Sequence, residues 1–168
     1  QFAKWGTYLP KHVGGFNLDI RYKSFSIGSQ FSYQFHVTRS NNVRNWITDG
    51  TAGYASAVNQ SRELIDNQWL KPGDEKFFAS PQYAKNFTSS DLEDARFLRF
   101  RNLNIAYQIP SIRLGEKGYF KGANVYVQFH NLAIWSPWRG VDPEDNNNIS
   151  LVEYPNPRMM VFGIDLKL

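Results

Sequence analysis

Met160-Val-Phe-Gly-Ile-Asp-Leu-Lys-Leu168 is the stretch whose reading decides the fold. Met160, Phe162, Ile164, Leu166 and Leu168 are apolar, and Gly163, Asp165 and Lys167 alternate with them. A period of two marks a strand with one apolar and one polar face.

The pattern recurs upstream. Phe25, Ile27, Phe31, Tyr33 and Phe35 share one phase, with Ser26, Gly28, Gln30, Ser32, Gln34 and His36 in the other. Leu103, Ile105, Tyr107 and Ile109 alternate with Asn102, Asn104, Ala106 and Gln108. The second phase is too polar for a packed core and too regular for a loop. Strands of about ten residues that are apolar outside and wet inside are the signature of a transmembrane β-barrel. The alternation predicts strands over residues 16–22, 25–36, 96–109, 123–135 and 159–168. Lys23-Ser24 reads as a tight turn, and Pro110 ends the third strand because proline cannot donate to a ladder.

Composition agrees. The chain has 168 residues, 16% of them aromatic, with a mean hydropathy of −0.50. That is too polar for a helical membrane protein, and no apolar run approaches the ~20 residues a spanning helix needs. A barrel tolerates such polarity because half of each strand and every loop face water. The net charge of +4 is modest and its lysines and arginines are scattered, so no nucleic-acid surface is indicated. Without cysteine there is neither a disulfide framework nor a thiolate metal site. A chain that starts at Gln1 is expected to be a processed product or a piece of something longer.

The connections alternate short and long: Lys23-Ser24, then residues 37–96, then 111–122, then 136–158. Outer-membrane barrels combine short periplasmic turns with long extracellular loops, which places the C-terminus in the periplasm. Two phase slips accompany this. Leu98 and Phe100 are out of phase with Leu103 and Ile105, and Leu132 and Ile134 with Val125, Val127 and Phe129. In paired strands the slips fall at one height, as bulges or at the outer rim of the bilayer. Five strands cannot close, since barrels have about eight or more and an open edge in lipid leaves backbone groups unsatisfied. The expected fold is therefore all-β, five antiparallel strands of a larger transmembrane barrel.

Several stretches resemble SusC/RagA-like TonB-dependent outer-membrane transporters of Bacteroidetes-type bacteria. They are Pro10-Lys-His-Val-Gly-Gly-Phe16 with Tyr22-Lys-Ser-Phe25, Trp69-Leu-Lys-Pro-Gly-Asp74, and residues 89–94 leading into Phe97-Leu-Arg-Phe-Arg-Asn-Leu-Asn-Ile-Ala-Tyr107 and Pro110. Val125-Tyr-Val127, Asn131-Leu132, Gly140-Val-Asp-Pro-Glu144, Tyr154-Pro-Asn-Pro-Arg158 and Phe162-Gly163 follow in the family's order. Ala106 stands where the family usually has glycine, and Leu168 where an aromatic is common. The resemblance covers nearly the whole chain. It implies that residues 1–168 are the C-terminal part of the barrel domain, with the plug domain and its TonB-contacting segment absent from this chain. It also implies outer-membrane lipid, the remaining barrel and a SusD-like surface lipoprotein as partners, and energy-coupled import of an oligomeric nutrient, a glycan or a peptide.

No catalytic constellation is present: there is no P-loop, Gly-x-Ser-x-Gly or His-Glu-x-x-His. His12, His36 and His130 are isolated in sequence, and a wet lumen-lining histidine is the simpler reading of His36 and His130. Asp142, Glu144 and Asp145 with Asn146, Asn147 and Asn148 carry oxygen ligands, but their spacing is not that of an EF-hand, and a solvated acidic loop is the simpler reading. Asn59-Gln-Ser61, Asn86-Phe-Thr88 and Asn148-Ile-Ser150 match the glycosylation pattern, which is incidental in a bacterial protein. No cofactor or metal is expected.

Asn102, Asn104, Gln108, Asn124, Gln128, His130 and Asp165 are the expected lumen-lining residues. Phe31, Tyr33, Phe35, Ile105, Tyr107, Val127, Phe129 and Ile164 are expected to face lipid. Trp46, Tyr54, Trp69, Trp135 and Trp138 fall in or beside the long loops, where aromatic rings pack loops, form an interfacial belt or contact a partner. Trp46, Trp69, Trp135 and Trp138 are the substrate-contact candidates. A soluble β-sandwich carbohydrate-binding module is the alternative fold reading, and a barrel enzyme lacks a convincing pair of carboxylates.

Overall fold

A computed structural model describes residues 6–51, 56–83, 89–114, 118–144 and 154–167. The elements in chain order are β1 (His12–Tyr22), β2 (Phe25–Phe35), β3 (Thr38–Ser40), α1 (Asn42–Ile47) and α2 (Glu63–Asn67). A 3-10 turn (Ser89–Asp91) follows, then β4 (Leu92–Asp94), β5 (Phe97–Ile109), β6 (Ile112–Leu114), β7 (Gly118–Phe120), β8 (Ala123–Trp135) and β9 (Met159–Leu166). They form two compact units.

One unit comprises residues 11–35, 96–136 and 155–168. Its core is a five-stranded antiparallel sheet in the order β1-β2-β5-β8-β9. All five strands read from the alternation are there. β1 begins earlier than the pattern suggests, because Gly14 and Gly15 interrupt the alternation while still pairing with Tyr33 and Ser32. Lys23 takes a left-handed conformation (φ 53°) at the two-residue turn, as tight hairpins require. β5 stops at Ile109, before Pro110. The connection from there to β8 is not bare, since β6 and β7 pair within it.

The register sorts the side chains. Tyr22, Phe25, Tyr107, Val125 and Ile164 run across one face, as do Ile20, Ile27, Ile105, Val127 and Phe162. Phe16 stacks on Phe31 at 4.7 Å and Phe31 on Phe100 at 4.4 Å, extending this apolar face over three strands. Many of its large side chains are exposed, among them Phe16, Tyr107, Met160, Phe162 and Ile164. A β-sandwich would bury such a face under a second sheet. The other two ladders among the described residues have only three residues per strand, so the sandwich alternative fails.

The slip in the third strand is a bulge. Gln30 pairs with Asn102 and Phe31 with Phe100, leaving Arg101 extra. Strict alternation would put Arg101 beside Leu103 on the apolar face. The bulge instead brings Phe100 and Leu98 onto that face, while Arg101 Nε donates to Ser32 Oγ at 2.7 Å on the other. The slip in the fourth strand resolves differently. Asn131 (φ 53°) and Leu132 together stand opposite Arg101, so Ala133 and Trp135 share the apolar face with Phe100 and Leu98. Leu132 and Ile134 stay in the phase of His130. Both irregularities lie at one height.

The second unit comprises residues 1–10, 36–95 and 137–154. Sequence reading made these loops, yet they hold a small core of Val37, Leu64, Phe78 and Ala95, all buried. β3 pairs with β4. Asn41 caps α1, its side-chain oxygen accepting from Arg44 N at 2.9 Å, and buried Asn45 donates to buried Asp91 Oδ2 at 2.9 Å. The Trp69-Leu-Lys-Pro-Gly-Asp74 stretch is a turn. Asp74 Oδ2 accepts from Leu70 N and Lys71 N, each at 3.1 Å, and Gly73 adopts φ 94°, which a side chain would strain.

Candidate functional site

The polar face of the sheet is assembled by the same register. Asn102 pairs with His130, Asn104 with Gln128, Gln108 with Asn124, and Asn124 with Asp165. All seven residues read as lumen-lining from alternation thus share one face. Four of them are joined by side-chain hydrogen bonds. Asn102 Nδ2 donates to Gln30 Oε1, and Asn102 Oδ1 meets His130 Nδ1 at 2.7 Å, a row across β2, β5 and β8. Asn124 Nδ2 donates to Asp165 Oδ2 at 3.3 Å. Amide and imidazole groups both donate and accept, which makes this face wettable.

The unit built from the long connections carries charge. Arg44 Nη2 donates to Glu63 Oε2 at 2.8 Å, and Arg44 Nε lies 3.8 Å from Glu93 Oε1. Glu93, in β4, also takes Arg139 Nη2 at 3.0 Å and accepts from Arg139 N at 3.3 Å. The Arg44 guanidinium stands over the Phe78 ring at 5.8 Å. Glu93 thereby ties residues from two long connections into one cluster. Among the described residues no group of three or more His, Cys, Asp or Glu is placed to hold a metal ion. No helix is long and apolar enough to cross a membrane, which has no bearing on crossing by strands.

Comparison with known proteins finds this same arrangement elsewhere. No protein-family model matches the chain. It is 28% identical to TonB-dependent receptor P3 of Formosa agariphila over 96% of its own length and 17% of that receptor's. It is 24% identical to TonB-dependent receptor SusC of Bacteroides thetaiotaomicron, over 91% of the chain and 15% of SusC. The RagAB peptide importer in its open-open state superposes with a TM-score of 0.84 at 29% identity, covering 97% of this chain and 18% of that one. The chain matches a segment of the SusC/RagA-like TonB-dependent receptors.

Its open five-stranded sheet aligns to part of the RagA barrel, and it spans about 17% of the length of the curated receptors it matches. These receptors are outer-membrane transporters, a non-enzymatic family, which agrees with the lack of a catalytic motif. The tryptophan candidates of this chain do not form one group. Trp135 ends β8 on the apolar face, paired with Leu98. Trp46 lies in α1. Trp69 donates its backbone N–H to Phe78 O at 3.0 Å. Trp138 packs so closely on Gly140 that a methyl there would collide with its indole. The latter three belong to the unit of the long connections. Tyr54, Asp145 and the three asparagines after it, the patterns at 86–88 and 148–150, and Leu168 lie outside the described residues.

Sequence reading passed over Arg101, Tyr126, Arg44 and Glu93, and took Arg139, beside Trp138, as a surface arginine able to pair with an acidic group, which Glu93 supplies. Tyr126 was legible, since it shares a phase with Gln128. The Arg44–Glu93–Arg139 cluster was not, because its members are far apart in sequence and sit on short elements with no periodicity.

Proposed function

We propose that residues 1–168 form the C-terminal part of the barrel domain of a receptor that imports an oligomeric nutrient across the outer membrane. The peptide importer RagAB, which matches nearly the whole chain, favours a peptide over a glycan. The observation that carries this reading is the two-faced sheet, with a largely apolar face behind a polar one. Phe31, Tyr33, Phe35, Ile105, Tyr107, Val127, Phe129 and Ile164 face lipid in this reading. Asn102, Asn104, Gln108, Asn124, Gln128, His130 and Asp165 line the lumen or touch a plug domain supplied by other sequence. The edge strands β1 and β9 pair with the rest of the barrel, because unpaired backbone groups in lipid are costly. The C-terminus is periplasmic, and both long connections rise to the outer mouth, where a SusD-like lipoprotein seats and Trp46, Trp69 and Trp138 meet partner or cargo.

The test is uptake by cells carrying the full-length receptor. Labelled oligopeptides are expected to accumulate only with TonB and a membrane potential, and the surface lipoprotein to copurify. Uptake of oligosaccharides but not peptides would reverse the choice of cargo. Passage independent of TonB would overturn the reading.

A further inference from the structure

A cavity of about 240 Å³ opens within the unit of the long connections, lined among others by Asn41, Arg44, Ile47, Glu63, Arg139 and Val141. Two of these residues hold buried N–H donors that donate to no partner among the described residues: Asn41 Nδ2 and Arg44 Nε. Asn41 is 2% exposed and Arg44 8%. Asn41 already commits its oxygen to the α1 cap. Arg44 Nε has only Glu93 Oε1 at 3.8 Å, which is ion-pair range but beyond a hydrogen bond. Buried donors left unpaired are costly, and donors without acceptors suit a ligand rich in acceptors.

The ion pairs say which acceptor. Glu93 is held between Arg44 and Arg139 with its side chain only 7% exposed. Glu63 is the other carboxylate on Arg44, but its side chain is 49% exposed and it sits on the five-residue α2. A pair with one solvated partner is weak and exchangeable. When Glu63 turns to solvent, two arginines face one buried carboxylate, and the cavity carries a single positive charge beside the unpaired amide donor.

We propose that this cavity is a carboxylate-binding subsite in which an incoming carboxylate replaces Glu63 on Arg44 Nη2. It rests on the import reading only in that the carboxylate arrives on the cargo. An acidic peptide side chain and a uronic acid supply the same group.

The experiment uses the full-length receptor in detergent and calorimetric titration with three probes. These are an N-acetylated, C-amidated pentapeptide with one Asp, its Asn counterpart, and digalacturonate. Glu63→Gln frees Arg44 and is expected to tighten binding of a carboxylate probe about three- to tenfold, leaving the Asn peptide unchanged. Val141→Trp fills the mouth and is expected to abolish the preference for Asp over Asn. Tightening confined to the Asp peptide assigns the peptide source, and tightening confined to digalacturonate assigns the sugar acid. Glu63→Gln with no effect on either carboxylate probe, or with an equal effect on the Asn peptide, overturns the subsite. Uptake of the Asn peptide separates the two readings. If it is imported while Glu63→Gln changes nothing, the subsite falls alone; if nothing is imported yet the carboxylate preference holds, the import reading falls alone.

Discussion

The Tyr126 ring lies over Gly163 on the neighbouring strand, so closely that a methyl on the glycine would collide with it. The two residues are directly opposed in the β8–β9 ladder. An aromatic ring covering a cross-strand glycine supplies the packing that glycine lacks and pins the register. Tyr33 treats Gly14 the same way at the other side of the sheet, with its hydroxyl about where a side chain on the glycine would stand.

Gly163→Ala should therefore destabilise the full-length barrel by about 1–3 kcal/mol through overpacking. The clash depends on the tyrosine, so adding Tyr126→Ala should recover part of the loss. Denaturant titration of the four-member cycle checks this, and purely additive effects would refute the pairing.

Ile105 sits mid-strand between Ile27 and Val127 on the apolar face, while Asn104 sits between Gly28 and Gln128 on the polar one. Ile105→Lys should cost about 2–4 kcal/mol in a bilayer. Asn104→Lys, one residue away, should cost far less. Equal losses in urea unfolding from lipid vesicles would remove the distinction between the faces.

Most of the sheet was legible because alternation is a local signal. Phe25 to Phe35 and Met160 to Leu166 each declare their faces without reference to any other strand. Even the fault at Arg101 showed as a change of phase between Phe100 and Leu103, although only pairing could reveal that β8 absorbs it through Asn131 and Leu132 rather than by moving Leu132 outward. The unit of the long connections was illegible for the opposite reason. Its order comes from buried polar groups such as Asn45 and Asp91, which look like loop residues until a distant partner satisfies them. The candidate site split along the same line: the polar face was read residue by residue, whereas Arg44 and Glu93 were missed and the partner of Arg139 went unidentified.

Single cysteines offer a second check on the faces. Asn104→Cys and Gln128→Cys in the full-length receptor should react with a charged maleimide, and Val127→Cys and Phe129→Cys only with a lipid-soluble reagent. Mass spectrometry of labelled vesicles reads the result. Labelling of Val127→Cys by the charged reagent would count against the assignment.

Removal of Glu93 should be felt well beyond its own position. Glu93→Ala leaves the buried Arg44 guanidinium with the half-exposed Glu63 as its remaining carboxylate, a loss of about 1–3 kcal/mol. Arg139, 56% exposed at its side chain, should cost under about 1 kcal/mol when replaced by alanine. Limited proteolysis should cut residues 137–144 readily in Glu93→Ala and slowly in Arg139→Ala. Equal resistance in both would argue against the hub.

The extra residues opposite Phe31 also shape the wall itself. Below the Gln30–Asn102–His130 row the strands march in step, and above it β5 has gained one residue on β2 and β8 another on β5. Bulges bend the strand that holds them and sharpen its twist. The sheet is thus two panels meeting at a crease, and the lower panel alone includes β9, whose pairing ends at Met159 opposite His130. The curvature of the upper panel can then follow what lies at its end of the strands without altering the registry that the lower panel needs.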